Sequence, residues 1–125
     1  MINTQSENKT PELFQKLEAA VSRFITATAG EIAGSARASM KTPKSGRLYG
    51  THRASAPGES PASMSGRYID SIRIIQASSL EAKVGASVPY APVLEYGLGR
   101  PLWGRTLVEI LPVIETRLAA EIAGL

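Results

Sequence analysis

The side chains best suited to chemistry lie close together late in the chain, where Glu95, Tyr96 and Arg100 fall within six residues. A carboxylate beside a phenol and a guanidinium offers a general base, a proton donor and an anion holder. A glutamate next to a tyrosine in an apolar stretch is more often a packed aromatic with a surface ion pair. The sequence adds no nucleophile with a neighbouring base, no glycine loop that cradles phosphate and no cofactor fingerprint. We therefore expect no catalytic residues, no cofactor and no enzyme activity.

Basic residues are concentrated in the segment 41–64, which is rich in proline, glycine and serine. This composition predicts a long loop or a mobile arm, and such segments in compact domains tend to be functional. Its candidate contact residues are Lys41, Lys44, Arg47, His52 and Arg53. A basic arm can lie beside phosphates and bind DNA in a salt-dependent, sequence-independent way. The alternatives are contact with a neighbouring subunit, or a solvated linker whose charge only keeps it soluble.

Several classes of protein are excluded or disfavoured by composition. There is no cysteine and only one histidine, so disulfides and zinc sites built on thiolates or imidazoles are excluded, and the scattered acids predict no other metal site. The polar N-terminus does not resemble a signal peptide, and no apolar run approaches the ~20 residues of a membrane helix. We expect one soluble domain over 1–125, with a flexible segment 1–9 and no membrane partner.

A long first helix is the clearest element. Thr10 as N-cap and Pro11 in the first helical position predict its start, and Pro43 predicts an end near residue 40. Gly30 and Gly34 each cost about 1 kcal/mol of helix propensity, which predicts close packing there. The packing partner is either another element of the same chain or a neighbouring copy. The predicted apolar stripe consists of Leu13, Leu17, Val21, Phe24, Thr28 and Ile32.

The middle of the chain predicts a β-hairpin. Ser65 is placed to cap a single helical turn that runs through Asp70. Strand-forming residues over 71–76 and 80–84, separated by the turn 77–79, predict two antiparallel strands. Gly97 is placed to close a short helical turn in the left-handed conformation.

A C-terminal helix follows Gly104, and Pro112 predicts a kink or a split within it. The order of elements predicts an α+β fold, in which a long N-terminal helix and a C-terminal helix pack on a small antiparallel sheet, with a long basic Pro/Gly-rich arm. Trp103, at the entrance of the last helix, is equally suited to plug the core or to anchor a protein interface. The predicted stripe of this helix consists of Leu107, Ile110, Leu111, Ile114, Leu118 and Ile122.

A series of short motifs in the second half of the chain carries a resemblance. The motifs are Ser65-Gly66-Arg67 leading to Ser71-Ile72, then Val84-Gly85, Tyr90-Ala91, Glu95-Tyr96-Gly97 and Arg100-Pro101. In this order and spacing they resemble the gene-product-ten-like tail-component family of lambdoid phages, the neck or tail-completion proteins. The departures from the family pattern are conservative: Ser65 and Leu98 stand where the family has threonine, and Tyr96 and Leu102 where it has phenylalanine.

The resemblance implies a structural protein of a tailed-bacteriophage virion. Such a protein would form a hexameric ring at the head–tail interface and would be assembled in the host bacterial cytoplasm. Its protein partners would be head-closure or connector proteins and tail-terminator or tail-tube proteins. It would also contact the genomic DNA in the channel. Subunit contacts are expected from Tyr90, Glu95, Tyr96, Gly97, Arg100, Pro101 and Trp103. The alternatives are a tail-terminator or head-closure ring protein and, from another class, a stand-alone non-specific DNA-binding protein.

Overall fold

The computed structural model describes residues 9–63 and 66–125. In chain order the elements are α1 (Lys9–Lys41), β1 (Leu48–Tyr49), β2 (His52–Arg53), α2 (Arg67–Ser71), β3 (Ile72–Ser78), β4 (Glu81–Ala86), a π-helical turn (Val93–Gly97) and α3 (Trp103–Ala123). The strands form two antiparallel pairs, β1 with β2 and β3 with β4. The predicted α+β fold is confirmed, with two small sheets where one was expected.

Helix α1 covers nearly the predicted range. Its predicted cap, Thr10, lies inside the helix, because Lys9 is already helical. The predicted flexible segment 1–9 lies outside the described residues except for Lys9. At the other end, the hydroxyl and amide of Thr42 both donate to the carbonyl of Ser39, at 2.7 and 3.3 Å. The helix ends two residues before Pro43, in keeping with the restriction that a proline places on the residue before it.

The small residues of α1 lie on two different sides of the helix. Ala29, Ala33 and Ala36 are buried against the rest of the fold. At Gly30 and Gly34, by contrast, an added Cβ would meet no described atom within 4 Å. The alanines, not the glycines, therefore provide the close packing within the chain, and the expectation that another element of this chain packs against the two glycines is wrong.

Helix α2 is a single turn that leads directly into β3. The structure places Gly66 at its N-cap with φ 80°, a left-handed conformation that favours glycine, and with no side-chain cap. Ser65, the predicted cap, lies outside the described residues. The helix extends through Ser71, whose hydroxyl donates to the carbonyl of Tyr68 at 2.8 Å.

The predicted hairpin is present, with its turn at 79–80 instead of the expected 77–79. The pairing runs from Ile72 opposite Ala86 to Ser78 opposite Glu81, with an irregularity between Gln76 and Ser78. At this irregularity β3 has one more residue than β4, and a strictly alternating sequence pattern does not predict such a bulge. The burial of β4 alternates along the strand, with Glu81, Lys83 and Gly85 exposed between the half-buried Ala82, Val84 and Ala86.

The core lies where the second half of α1 meets α2, β3 and the beginning of α3. It consists of Ala33, Ala36, Met40, Tyr68, Ile72, Val88, Ala91 and Leu102. Arg37 adds a polar link by donating from its guanidinium to the carbonyl of Ile72 at 2.8 Å. Four of the eight core residues are alanine or valine, so the core is small and depends on close approach of the backbones.

Helix α3 continues without a break across Pro112, so the split that was one predicted outcome does not occur. It runs antiparallel to α1, because Arg23 pairs with Glu121 at 3.1 Å and Glu31 pairs with Arg117 at 2.9 Å. Within the described part of the chain, no helix has both the length and the apolar character needed to cross a membrane.

Candidate functional site

Glu95 caps the start of α3 from a distance. The π-helical turn places its carboxylate so that Oε1 accepts from the amides of Leu102 and Trp103 at 2.8 and 3.0 Å. Oε2 accepts from the amide of Gly104 at 3.1 Å. These amides have no partner within the helix, and a negative charge at a helix N-terminus is favourable. Both oxygens of the carboxylate are thus engaged by the backbone instead of being presented to a substrate.

The chain reverses after this turn at Gly99 and not at Gly97. Gly99 has φ 65°, whereas Gly97 is the last residue of the π-helical turn and has no positive φ. The amide of Leu98 donates to the carbonyl of Val93, at 2.9 Å. The prediction of a left-handed Gly97 is therefore wrong, because the wider turn moves the reversal two residues along the chain.

Arg100 joins the turn to the proline-rich segment and forms no ion pair with Glu95. Its Nε donates to both the carbonyl and the hydroxyl of Ser55, each at 3.1 Å, and its Nη1 donates to the carbonyl of Leu98 at 2.5 Å. Next to it, the amide of Gly58 donates to the carbonyl of Gly99 at 2.7 Å. Residues 98–100 thus hold residues 55–58 against the body of the protein.

The predicted interface aromatics have different environments. Tyr96 is 88% exposed, at the tip of the π-helical turn. Tyr90 stands edge-on to the buried Tyr68, with ring centroids 6.1 Å apart. Burial raises the pKa of Tyr68 to about 12, and electrostatic interactions with Glu95 and Tyr90 add to the shift. Trp103 is half-buried and packs against the core, so only part of its surface is available to a partner.

The segment 41–63 folds back on itself and on the body. A small hairpin pairs Tyr49 with His52, and an added Cβ on Gly46 would come within 2.6 Å of the carbonyl oxygen of Ala54. Lys44 inserts its ammonium group between the carbonyl of Ser39, at 2.8 Å, and the hydroxyl of the buried Ser60, at 2.7 Å. These contacts fix the segment at both of its ends.

Four of the five candidate contact residues of this segment line one cleft. Lys41, Lys44, His52 and Arg53 border a cavity of about 410 Å³ between the end of α1 and β2. Arg47 does not line this cleft; its guanidinium carbon lies 5.1 Å from the ring centroid of Tyr49. Burial lowers the pKa of Lys44, an effect that Glu59 opposes and Arg105 reinforces. We call this feature the basic cleft.

A second surface is apolar and lies between the two long helices and β4. Two adjoining cavities, of about 450 and 110 Å³, share Phe24 as a lining residue. We call them together the apolar groove. Seven large side chains that line it remain between 36% and 60% exposed: Leu17, Val21, Leu80, Leu107, Leu118, Ile122 and Leu125.

Sequence reasoning found the helix stripes that form this groove but could not show that they stay uncovered. It also missed the anchors of the proline-rich segment, Ser39, Ser55 and Ser60, because isolated serines carry no signal of burial. Among residues 9–63 and 66–125, no group of three or more histidine, aspartate or glutamate side chains is arranged to hold a metal ion.

Comparisons of the chain with family models, with curated proteins and with solved structures yield no match.

Proposed function

We propose that this chain is a structural subunit of a tailed-bacteriophage virion, assembled in the host cytoplasm, that forms a ring in the neck and joins or completes the tail at the head–tail interface. The observation that carries the proposal is the apolar groove. The order and spacing of the motifs between Ser65 and Pro101 support the same assignment. A tail-terminator or head-closure ring remains the alternative within this class.

The size of the groove supports association with another protein. Seven large side chains, each roughly half exposed, supply an apolar surface on the order of several hundred Å², comparable with the largest apolar patch of a typical soluble monomer, which is often functional. One partner in a standard interface contributes about 800 Å². Covering the groove would therefore account for much of one subunit contact.

A second copy of the chain is the occupant that we propose, because the chain carries a matching projection elsewhere. The π-helical turn presents Tyr96 at 88% exposure, flanked by Val93 at 53% and Leu98 at 58%. An exposed aromatic with aliphatic neighbours is a typical interface anchor. A groove on one surface and a projection on another favour head-to-tail contacts, which close into rings when the rotation allows.

A role without catalysis is supported by the position of Glu95. Its two oxygens accept three backbone hydrogen bonds at the start of α3, and Arg100 is directed to Ser55. Two of the three residues that the sequence offered for acid–base work are thus engaged in holding the fold together.

Self-association is tested by sedimentation of two matched variants. Leu118→Glu places a charge in the groove, whereas Val113→Glu places one on the same helix at nearly equal exposure, 42% against 44%, outside the groove lining. We expect the wild type and Val113→Glu to form the same oligomer and Leu118→Glu to remain monomeric. Equal behaviour of the two variants would remove the groove from the subunit contact.

Placement in the neck is tested on purified tailed particles from the source. Peptide mass spectrometry should find the chain at a few to a dozen copies per particle, measured against the major tail protein. Its absence from intact particles, despite expression in the lysate, would overturn the assignment to the virion whatever the oligomeric state.

A further inference from the structure

The basic cleft combines positive charge with hydrogen-bonding hydroxyls at one opening. Lys41 and Lys44 approach it from the end of α1 and the residues that follow, and Arg53 approaches it from β2. Thr42 and Ser63 also line the opening. The sequence placed these cations on one segment, but only the fold brings them around a common space.

The cations of the cleft have no acidic partner among the described residues. The ion pairs found there join Arg23 to Glu121, Arg117 to Glu31 and Arg105 to Glu109. None involves Lys41, Lys44 or Arg53. The ammonium of Lys44 is held by neutral oxygens alone, those of Ser39, Thr42 and Ser60.

The one acidic residue of the segment 41–63 is Glu59, and its carboxylate accepts from the backbone. It accepts from the amide of Ser45 at 3.1 Å and from the amide of Ala56 at 2.6 Å. Over residues 41–63 the chain carries four basic residues, Arg47 included, and one acidic residue, which leaves a net charge of +3. The cleft therefore presents positive charge that no side chain of the described chain neutralises by contact.

We propose that the basic cleft binds the phosphate groups of a nucleic-acid backbone. Arginine, lysine and the hydroxyls of serine and threonine are the side chains that commonly contact backbone phosphates. The cleft lining contains no tryptophan, tyrosine or phenylalanine that could stack on a base; His52 supplies its one aromatic ring, and Tyr49 lies outside the lining and faces Arg47. Binding is therefore expected to be independent of sequence and to weaken steeply as salt is added.

This inference does not rest on assembly in the neck, and it has its own test. Fluorescence anisotropy would measure the affinity of the purified full chain for a short duplex DNA at several salt concentrations. The double variant Lys41→Ser/Arg53→Ser removes two cations from the cleft. Lys16→Ser/Lys83→Ser removes two exposed cations elsewhere and gives the same net charge.

We expect the cleft variant to bind at least tenfold more weakly at low salt. Its slope of log affinity against log salt should be shallower by about 1.8, since each lost phosphate contact removes about 0.9. The control should bind like the wild type, and Arg53→Lys should keep the wild-type slope because the charge remains. Each variant is checked for native circular dichroism before titration.

Three outcomes would overturn the proposal. No measurable binding of duplex DNA at low salt is the first. Equal weakening of both double variants would mean that overall charge, not the cleft, attracts the DNA. Competition by poly-glutamate at the same charge concentration as duplex DNA would assign the cleft to acidic protein surfaces instead.

Discussion

The carboxylate of Glu95 lies 2.8 Å from the backbone nitrogen of Leu102 and so ties the π-helical turn to the start of α3. Replacing Glu95 with glutamine removes the negative charge and turns one acceptor into a donor that faces the amide of Gly104. We expect Glu95→Gln to lower the free energy of unfolding by about 1–2 kcal/mol, as the loss of a helix cap does. Chemical denaturation measures the change.

The matched control is Glu109→Gln on the same helix. Glu109 is exposed and forms only an i,i+4 pair with Arg105, at 3.4 Å. Such a pair contributes less than about 0.5 kcal/mol. If the two variants lose equal stability, the cap is not a principal support of α3.

The side chain of Arg100 should determine how firmly residues 55–58 are held against the body of the protein. Arg100→Lys cannot reproduce the pair of bonds from Nε to Ser55, so the neighbouring bond from Gly58 to Gly99 should open more often. A charge-assisted hydrogen bond contributes roughly 1.5–3 kcal/mol, so amide exchange at Gly58 should be about tenfold faster or more. Hydrogen exchange followed by mass spectrometry or NMR measures it.

Arg47→Lys is the control for this exchange experiment. Arg47 lies over Tyr49 on the small hairpin, and its side chain takes no part in the hydrogen bonds of residues 98–100. Exchange at Gly58 should keep its wild-type rate in this variant. Unchanged exchange in Arg100→Lys itself would mean that other contacts hold the segment.

The sequence was sufficient to predict the elements whose signals are local. The limits of α1 follow from a stripe of apolar residues and from Pro43, and the β3–β4 hairpin follows from β-branched residues around a turn. The position of that turn was missed because the irregularity near Gln76 depends on pairing across strands, which no local pattern records.

The arrangement of the candidate sites depended on contacts between distant residues. Glu95 and Arg100 were selected together, yet one caps α3 and the other holds Ser55, which lies 45 residues earlier. The cations of residues 41–53 were identified from composition, but their grouping in one cleft depends on contacts such as the partly buried hydrogen bond from Lys44 to Ser60. Spacing along the chain contains no information about such pairings.

The buried phenol of Tyr68 should cause the protein to lose stability at alkaline pH. Its pKa in the folded protein is about 12, against a reference of 10.0, because burial favours the neutral phenol. A group whose pKa is raised by folding stabilises the fold fully below its unfolded pKa. That contribution is lost as the pH rises from about 10 toward 12. Tyr68→Phe should therefore show a smaller decline in stability over this range than the wild type, measured by denaturation at each pH.

Tyr96→Phe is the control, because that phenol is 88% exposed. It should follow the wild-type curve. An alkaline decline in Tyr68→Phe as steep as that of the wild type would mean that other groups, and not this phenol, cause it.

Thr106 is a position where a substitution should stabilise the protein. Its side chain is fully buried, and its hydroxyl has no hydrogen-bond partner among the described residues. Valine has the same shape and a similar helix propensity without the polar atom. We expect Thr106→Val to raise the free energy of unfolding by about 1 kcal/mol.

The exposed control is Thr116→Val, which loses the hydrogen bond of 2.9 Å from the hydroxyl to the carbonyl of Pro112. Its free energy of unfolding should change by no more than about 0.5 kcal/mol. Destabilisation by Thr106→Val would contradict this interpretation.

Substitutions at Gly30 and Gly34 distinguish an effect on the stability of the chain from an effect on its assembly. Since an added Cβ meets no atom of the described residues within 4 Å at either position, Gly34→Ala should stabilise α1 by about 1 kcal/mol, and Gly30→Ala by a similar amount. Ala38→Gly, at an exposed position of the same helix, should cost a similar amount and serves as the reverse control. Thermal or chemical denaturation of the dissociated chain measures all three.

The same glycine variants test the hypothesis that a neighbouring copy packs against this side of α1. If it does, Gly34→Ala should give a more stable chain that associates less well in sedimentation, because a methyl group stands where two backbones meet. If association is unchanged while stability rises, the copies meet elsewhere and the apolar groove is left as the candidate contact. A fall in stability would contradict both expectations, since it would mean that part of the chain itself occupies the space beside Gly34.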